Sequence, residues 1–177
     1  MQRRELSTQD EHVSALRRVF SFPDPVNEVS ARLVAGGVVL MSVLAIVTGW
    51  RWLLVVVAYG FVARVLTGPT LSPLGQVATR VIAPRLRLAP RPVPGPPKRF
   101  AQTIGVVFSL TAAVLSIGFG LTIAADVVLA LLALAATLES VFGLCLGCRV
   151  FAALMRLGVI PAPVCERCNN FSVPASA

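Results

Sequence analysis

Charge vanishes from two long stretches of this chain, residues 33–50 and residues 100–125. Each has the roughly 18–20 apolar residues that a helix needs to cross a bilayer core. The first stretch ends at Thr48-Gly49-Trp50-Arg51-Trp52, which reads as a tight reversal with two indoles where an aromatic belt would sit. Apolar sequence resumes at Trp52 and runs to about Leu66, interrupted by Arg64. After the second stretch a further run starts near Ala125, continues past Glu139 and reaches Arg149 or beyond. The pattern predicts four spans: Arg32 to Trp50, Trp52 to Leu66, Phe100 to Thr122, and one from Ala125 onward. Two transmembrane hairpins then pair into an all-α integral membrane four-helix bundle. About thirty polar-mixed residues precede the first span and no cleavage pattern follows it, so it does not read as a signal peptide. Gly36, Gly37, Gly105, Gly118 and Gly120 are expected to let helices approach closely.

The domain organisation follows. A polar cytoplasmic segment covers residues 1–31, the first hairpin 32–67, a basic Pro-rich connector 68–99, the second hairpin with a helix extension 100–158, and a cysteine-containing cytoplasmic tail 159–177. Within the connector, residues 74–88 mix apolar side chains with Arg80, Arg85 and Arg87, as in an interfacial stretch. Pro90-Arg91-Pro92-Val93-Pro94-Gly95-Pro96-Pro97 is expected to be polyproline-like, a stiff cationic strap on lipid headgroups. His12, the one histidine, sits in the polar N-terminal segment and is read as solvated.

Composition agrees with the pattern. The chain is 56% hydrophobic and only 14% charged, with a mean hydropathy of +0.81, far from the balance of soluble domains. A formal net charge of +8 would suggest nucleic-acid binding in a soluble protein. Here its placement matters more. Arg3, Arg4, Arg17, Arg18 and Arg32 precede or open the first span; Arg80, Arg85, Arg87, Arg91, Lys98 and Arg99 fill the connector; Arg149, Arg156 and Arg167 follow the fourth span. The two tight turns hold only Arg51 and Asp126. By the positive-inside rule both termini and the connector are cytoplasmic, and the expected partner is a bilayer with anionic headgroups rather than nucleic acid.

Candidate chemistry lies in four cysteines, Cys145-Leu-Gly-Cys148 and Cys165-Glu-Arg-Cys168. On a continuous helix Cys148 would sit about 60° from Cys145, Arg149 about 40° to the other side and Arg156 within about 20°. Both thiols and two guanidinium groups would then share one stripe, and a nearby cation favours the reactive thiolate; the plain account is that both arginines snorkel to headgroups. Glu139 lies 13 residues from Asp126, and Arg64 lies 13 residues from Arg51, which places opposite charges at similar depth. An interhelical Arg64–Glu139 pair that fixes the bundle is the preferred account; the sharper one makes Glu139 a proton carrier for the thiols.

Two uses of the cysteines stay open. Cys145 and Cys148 exchange disulfides or sulfur, with Cys165 and Cys168 as a mobile pair and a cytoplasmic thiol protein as partner. Alternatively, all four hold a structural zinc or another metal, iron–sulfur included, in a non-enzymatic protein, since two C-x2-C pairs sixteen residues apart fit that spacing. Against zinc, Arg149 and Asn169 stand where a turn-forming glycine is usual. A static disulfide is disfavoured on the cytoplasmic side. A channel for sulfur compounds would need a more polar bundle lining than Ser, Thr and Arg64/Glu139 supply.

The segments Phe142-Gly-Leu-Cys-Leu-Gly-Cys-Arg-Val-Phe151 and Lys98-Arg-Phe-Ala-Gln102, together with Asp24-Pro25 and Arg32, resemble a bacterial family known only as domain of unknown function 4395. The resemblance covers about residues 22–168 and implies a small multi-pass protein of the bacterial cytoplasmic membrane with no assigned reaction. Its functional centre would be Cys145 and Cys148.

Overall fold

The structure is a computed structural model, and it describes residues 25–86, 89 and 91–158. The expectations for the polar N-terminal segment with His12, for Asp24, and for the tail with Cys165 and Cys168 fall outside the described residues.

Helix α1 spans Glu28–Thr48, one turn earlier than the apolar pattern predicts. Asn27 explains the early start: its side chain accepts the Val29 N–H at 3.1 Å, an N-cap, and Glu28 complements the helix dipole. Gly49, at φ 70°, ends α1 and opens the expected reversal, where the Trp50 and Trp52 rings lie 6.2 Å apart. Helix α2, Trp52–Thr67, returns. Its 16 residues are about 24 Å long, short of a roughly 30 Å hydrocarbon core.

Within the expected polyproline strap at 90–97, Pro92–Val93 is a strand and Gly95–Pro97 open a helix, and the stretch before it is largely helical. Residues 73–85 form helix α3, opened by the Ser72 hydroxyl accepting the Gly75 N–H at 3.2 Å and widened by a π-helical stretch at Val77–Ile82. Strands β1, Val26–Asn27, and β2, Pro92–Val93, pair antiparallel with Val26 opposite Val93. Helix α4 starts at Gly95, ahead of the expected Phe100, and runs to Gly118 through a π-helical end at Val114–Gly118. Pro96 and Pro97 were expected to prevent helix; they sit in the first turn, where a missing N–H costs nothing.

Helix α5 is Thr122–Phe142, and a separate helix α6, Leu146–Arg156, follows. The sequence pattern predicts one continuous helix through Cys145. Instead Gly143, at φ 68°, terminates α5 two residues before the first cysteine.

Helix α1 packs along α5, α2 along α4, and α6 against the start of α4. Val38, Leu54, Val57, Ala112 and Leu129 form the buried centre. Leu40, Val47, Ile117, Ile123 and Leu134 face outward and exposed, so the helices are apolar on both faces. Three of them, α1, α4 and α5, are long and apolar enough to cross a membrane, and α2 is a shorter apolar helix. Arg51, in the first reversal, and Asp126, which lies inside α5 and not in the turn where it is expected, form an ion pair, with Arg51 Nη2 at 3.2 Å from Asp126 Oδ2, and tie that reversal to the start of α5. Gly105 lets α4 close onto the Phe61 ring of α2, and Gly37 lies against Leu74. Gly36 meets only an ordinary contact and Gly118 only its own helix, while Gly120 serves the turn instead.

Candidate functional site

The α5–α6 corner is built by three helices. Arg32, on α1, donates from Nη2 to the Val141 carbonyl at 2.8 Å and from Nε to the Ser140 carbonyl at 3.3 Å. Its cation thus caps the negative end of α5. The chain then turns at Gly143, and Cys145 adopts extended backbone angles as the N-cap of α6. Its Sγ accepts the Cys148 N–H at 3.3 Å, the place a serine or aspartate oxygen usually takes. Gly147 brings α6 onto the Ala101 backbone, and the Phe151 ring meets Phe100 at a tilt of 56° with centroids 5.5 Å apart. The two segments that carried the family resemblance therefore touch.

Cys145 is buried and Cys148 half-buried. The hydrogen bond from Cys148 holds the Cys145 thiol below its ordinary value, with help from Lys98 and the α6 amide, against burial and the Glu139 charge. The same bond, burial and the Cys145 charge push the Cys148 thiol well up. The pair is thus uneven: Cys145 gives up its proton more readily than an ordinary thiol, and Cys148 holds its proton more tightly. The cation acting on them is Lys98. The predicted stripe with Arg149 and Arg156 does not form, because Cys145 precedes the helix and both arginines are exposed on it.

Glu139 is also re-partnered. Lys98 Nζ lies 2.7 Å from its Oε1, with the two side chains 8% and 21% exposed. Arg64 and Glu139 lie at similar depth, each 13 residues from the paired Arg51 and Asp126, and the Glu139 charge acts on Arg64, but Glu139 makes its contact with Lys98. Glu139 lies 17 residues into α5, where that helix meets the first turns of α4. Arg64 instead donates from Nε to the Gly60 carbonyl at 2.9 Å, lies 4.4 Å from the Phe61 ring centroid, and keeps Nη2 buried without a hydrogen-bond partner. Arg64, Lys98, Glu139 and Cys145 line one cavity of about 520 Å³ with mostly apolar walls. Among the described residues no three metal-ligating side chains cluster, and Cys165 and Cys168 are not among them.

The sequence alone marks Lys98 as a topology charge and as part of a family segment, and gives it no place beside Glu139 and the thiols. The available signal was its position: Lys98 and Glu139 lie 22 and 19 residues either side of Gly120, the turn of their hairpin.

The fold and site define a helical protein with three helices apolar enough to cross a membrane and a polarised dithiol at a helix N-terminus. Residues 26–156 match the model of the family described as Domain of unknown function (DUF4395), and the chain belongs to that family. No curated protein and no solved structure matches it.

The thiol asymmetry sets an expected pH profile. A lowered thiol pKa means more thiolate at neutral pH, so Cys145 should alkylate at a rate that saturates below the ordinary thiol range near pH 8.5. Cys148 should gain reactivity only once Cys145 is blocked. Mass-spectrometric mapping of N-ethylmaleimide adducts between pH 5.5 and 9 checks this; faster reaction at Cys148 would contradict it.

Proposed function

We propose that the chain is a four-span protein of the bacterial cytoplasmic membrane that uses Cys145 and Cys148 for thiol–disulfide exchange or sulfur transfer on the cytoplasmic side. The observation that carries this reading is Cys145 Sγ at the N-terminus of α6, accepting from Cys148 and facing a cavity beside Lys98. Helix N-termini and cations are the settings that activate C-x-x-C thiols. The short α2 spans with modest local thinning, its indoles anchored at one interface. Arg51 is neutralised by Asp126 at one end of the bundle, whereas Arg32, Arg80, Arg85, Arg91 and Arg149 belong to the other end, which supports cytoplasmic termini and anionic-lipid contact.

In exchange, the Cys145 thiolate attacks one sulfur of a partner disulfide, forming a mixed disulfide and releasing the other sulfur as thiolate. Cys148 then gives up its proton, with Glu139 as carrier, and attacks Cys145. The partner leaves with two electrons, one proton from Cys148 and one from solvent. Cys165 and Cys168 serve as the second dithiol, which connects Cys145 to a cytoplasmic thiol protein. In sulfur transfer Cys145 takes the outer sulfur of a persulfide and releases a thiolate.

Cys148→Ser should accumulate a reductant-sensitive adduct at Cys145, part of it with Cys165 or Cys168, whereas Cys145→Ser should trap none. Non-reducing electrophoresis with peptide mapping reads this on protein prepared without chelator. No adduct, together with about one zinc per chain that is lost in both variants, would sink the exchange reading in favour of a four-cysteine metal clamp.

A further inference from the structure

Arg64 is 6% exposed on an apolar helix, yet neither ion pair among the described residues includes it. Its Nε is satisfied by Gly60 and its face by Phe61, but Nη2 is buried without a partner. The Glu139 charge acts on this guanidinium without touching it, which leaves the Nη2 donor unanswered, a costly state for a buried cation. The Gln102 Oε1 is likewise buried and unpartnered. Both side chains line the same cavity of about 520 Å³, a volume in the range of small-molecule sites. Its remaining wall is largely apolar, with Phe61, Phe108, Leu131 and Leu132 among the lining.

We propose that this cavity binds an amphiphilic monocarboxylate, its carboxylate held by Arg64 Nη2 and the Gln102 amide and its apolar body lying along Phe108 and Leu132. The chemistry selects the class. A guanidinium with a free edge matches a carboxylate, and the Gln102 amide, whose two ends exchange by a flip, donates to the same group. A dianion is disfavoured because Glu139 shares the wall and only one cation is unpaired there. A fully hydrated small ion is disfavoured by the apolar lining. The site shares its cavity with Cys145, but the contacts to the carboxylate do not depend on the dithiol chemistry. A fatty acid drawn from the bilayer and a short-chain carboxylate from water present the same group, and chain length separates them.

The test is calorimetric titration of the whole chain in dodecyl maltoside with octanoate, butyrate and methyl octanoate. Protein-free micelles titrated in the same way serve as the blank, and the Arg64→Met variant is titrated alongside the wild type. Octanoate should bind saturably at one per chain, at least tenfold tighter than methyl octanoate, and at least tenfold weaker to Arg64→Met. Butyrate binding at least tenfold weaker than octanoate marks the bilayer as the source; equal binding marks water. Arg64→Met should melt no lower than the unliganded wild type, because it removes an unpaired buried cation. If that variant does not fold, Gln102→Leu decides, with at least threefold weaker octanoate binding expected. Absence of saturable binding to the wild type overturns the proposal, as does unchanged affinity in Arg64→Met, in folded Gln102→Leu, or for the neutral ester.

Discussion

Gly147→Ala should detach α6 from α4 while leaving the remaining helices assembled. A methyl group at Gly147 would sit 2.5 Å from both the Cα and the Cβ of Ala101, against an ordinary contact of 3.4–4 Å. No rotamer change relieves this, because one of the two atoms is backbone. The helix must therefore move by about 1 Å or more, and the Phe100–Phe151 contact must open with it. Overpacking of this kind costs about 1–3 kcal/mol. That is enough to populate an undocked α6 about tenfold more or beyond. The expected result is faster proteolysis and amide exchange across residues 146–156, at least tenfold faster alkylation of Cys148, and little change in total helicity. Ala101→Gly should rescue only part of the loss, since the Ala101 Cα remains in the way. Unchanged exchange and alkylation in Gly147→Ala would mean that the close approach does not hold the site.

That glycine also marks where sequence reasoning reached and where it stopped. The apolar runs identified four apolar helices, three of them long enough to cross a membrane, because long stretches with little or no charge leave few alternatives. Cys145 and Cys148 were legible as a pair from spacing alone. What the pattern hid were local overrides of one residue each. Asn27 starts α1 early by capping it, Pro96 and Pro97 open α4 rather than block it, and Gly143 breaks α5 within an unbroken apolar run. The last of these moved Cys145 from a helical stripe to a helix cap and exchanged Arg149 for Lys98 as its cation. Arg64 and Glu139 do fall at similar depth, each 13 residues from the paired Arg51 and Asp126, and the Glu139 charge acts on Arg64, but Lys98 at the start of α4 takes the contact. Charges in spans announce that a partner is needed, but a cation entering from a neighbouring helix can decide which one touches.

Lys98→Met and Glu139→Gln should each be strongly destabilising, and the double variant Lys98→Met/Glu139→Leu should recover most of the loss. Lys98 and Glu139 touch at 2.7 Å with little exposure, so removing one partner strands the other charge in an apolar wall. Such single losses amount to about 3–5 kcal/mol, whereas replacing both by apolar groups is often neutral. Unfolding of the purified chain in mixed micelles measures the cycle; additive single effects would mean that the contact carries no coupling. Thiol titration separates a structural role from an electrostatic one. The Lys98 charge lowers the Cys145 thiol pKa and the Glu139 charge raises it. Losing the cation must therefore move the Cys145 alkylation profile to higher pH, and losing the carboxylate must move it to lower pH. A merely structural pair would shift both profiles the same way, toward that of an exposed thiol, as the corner loosened. Opposite shifts in two comparably destabilised variants would assign Lys98 and Glu139 to the tuning of the thiolate as well as to the fold.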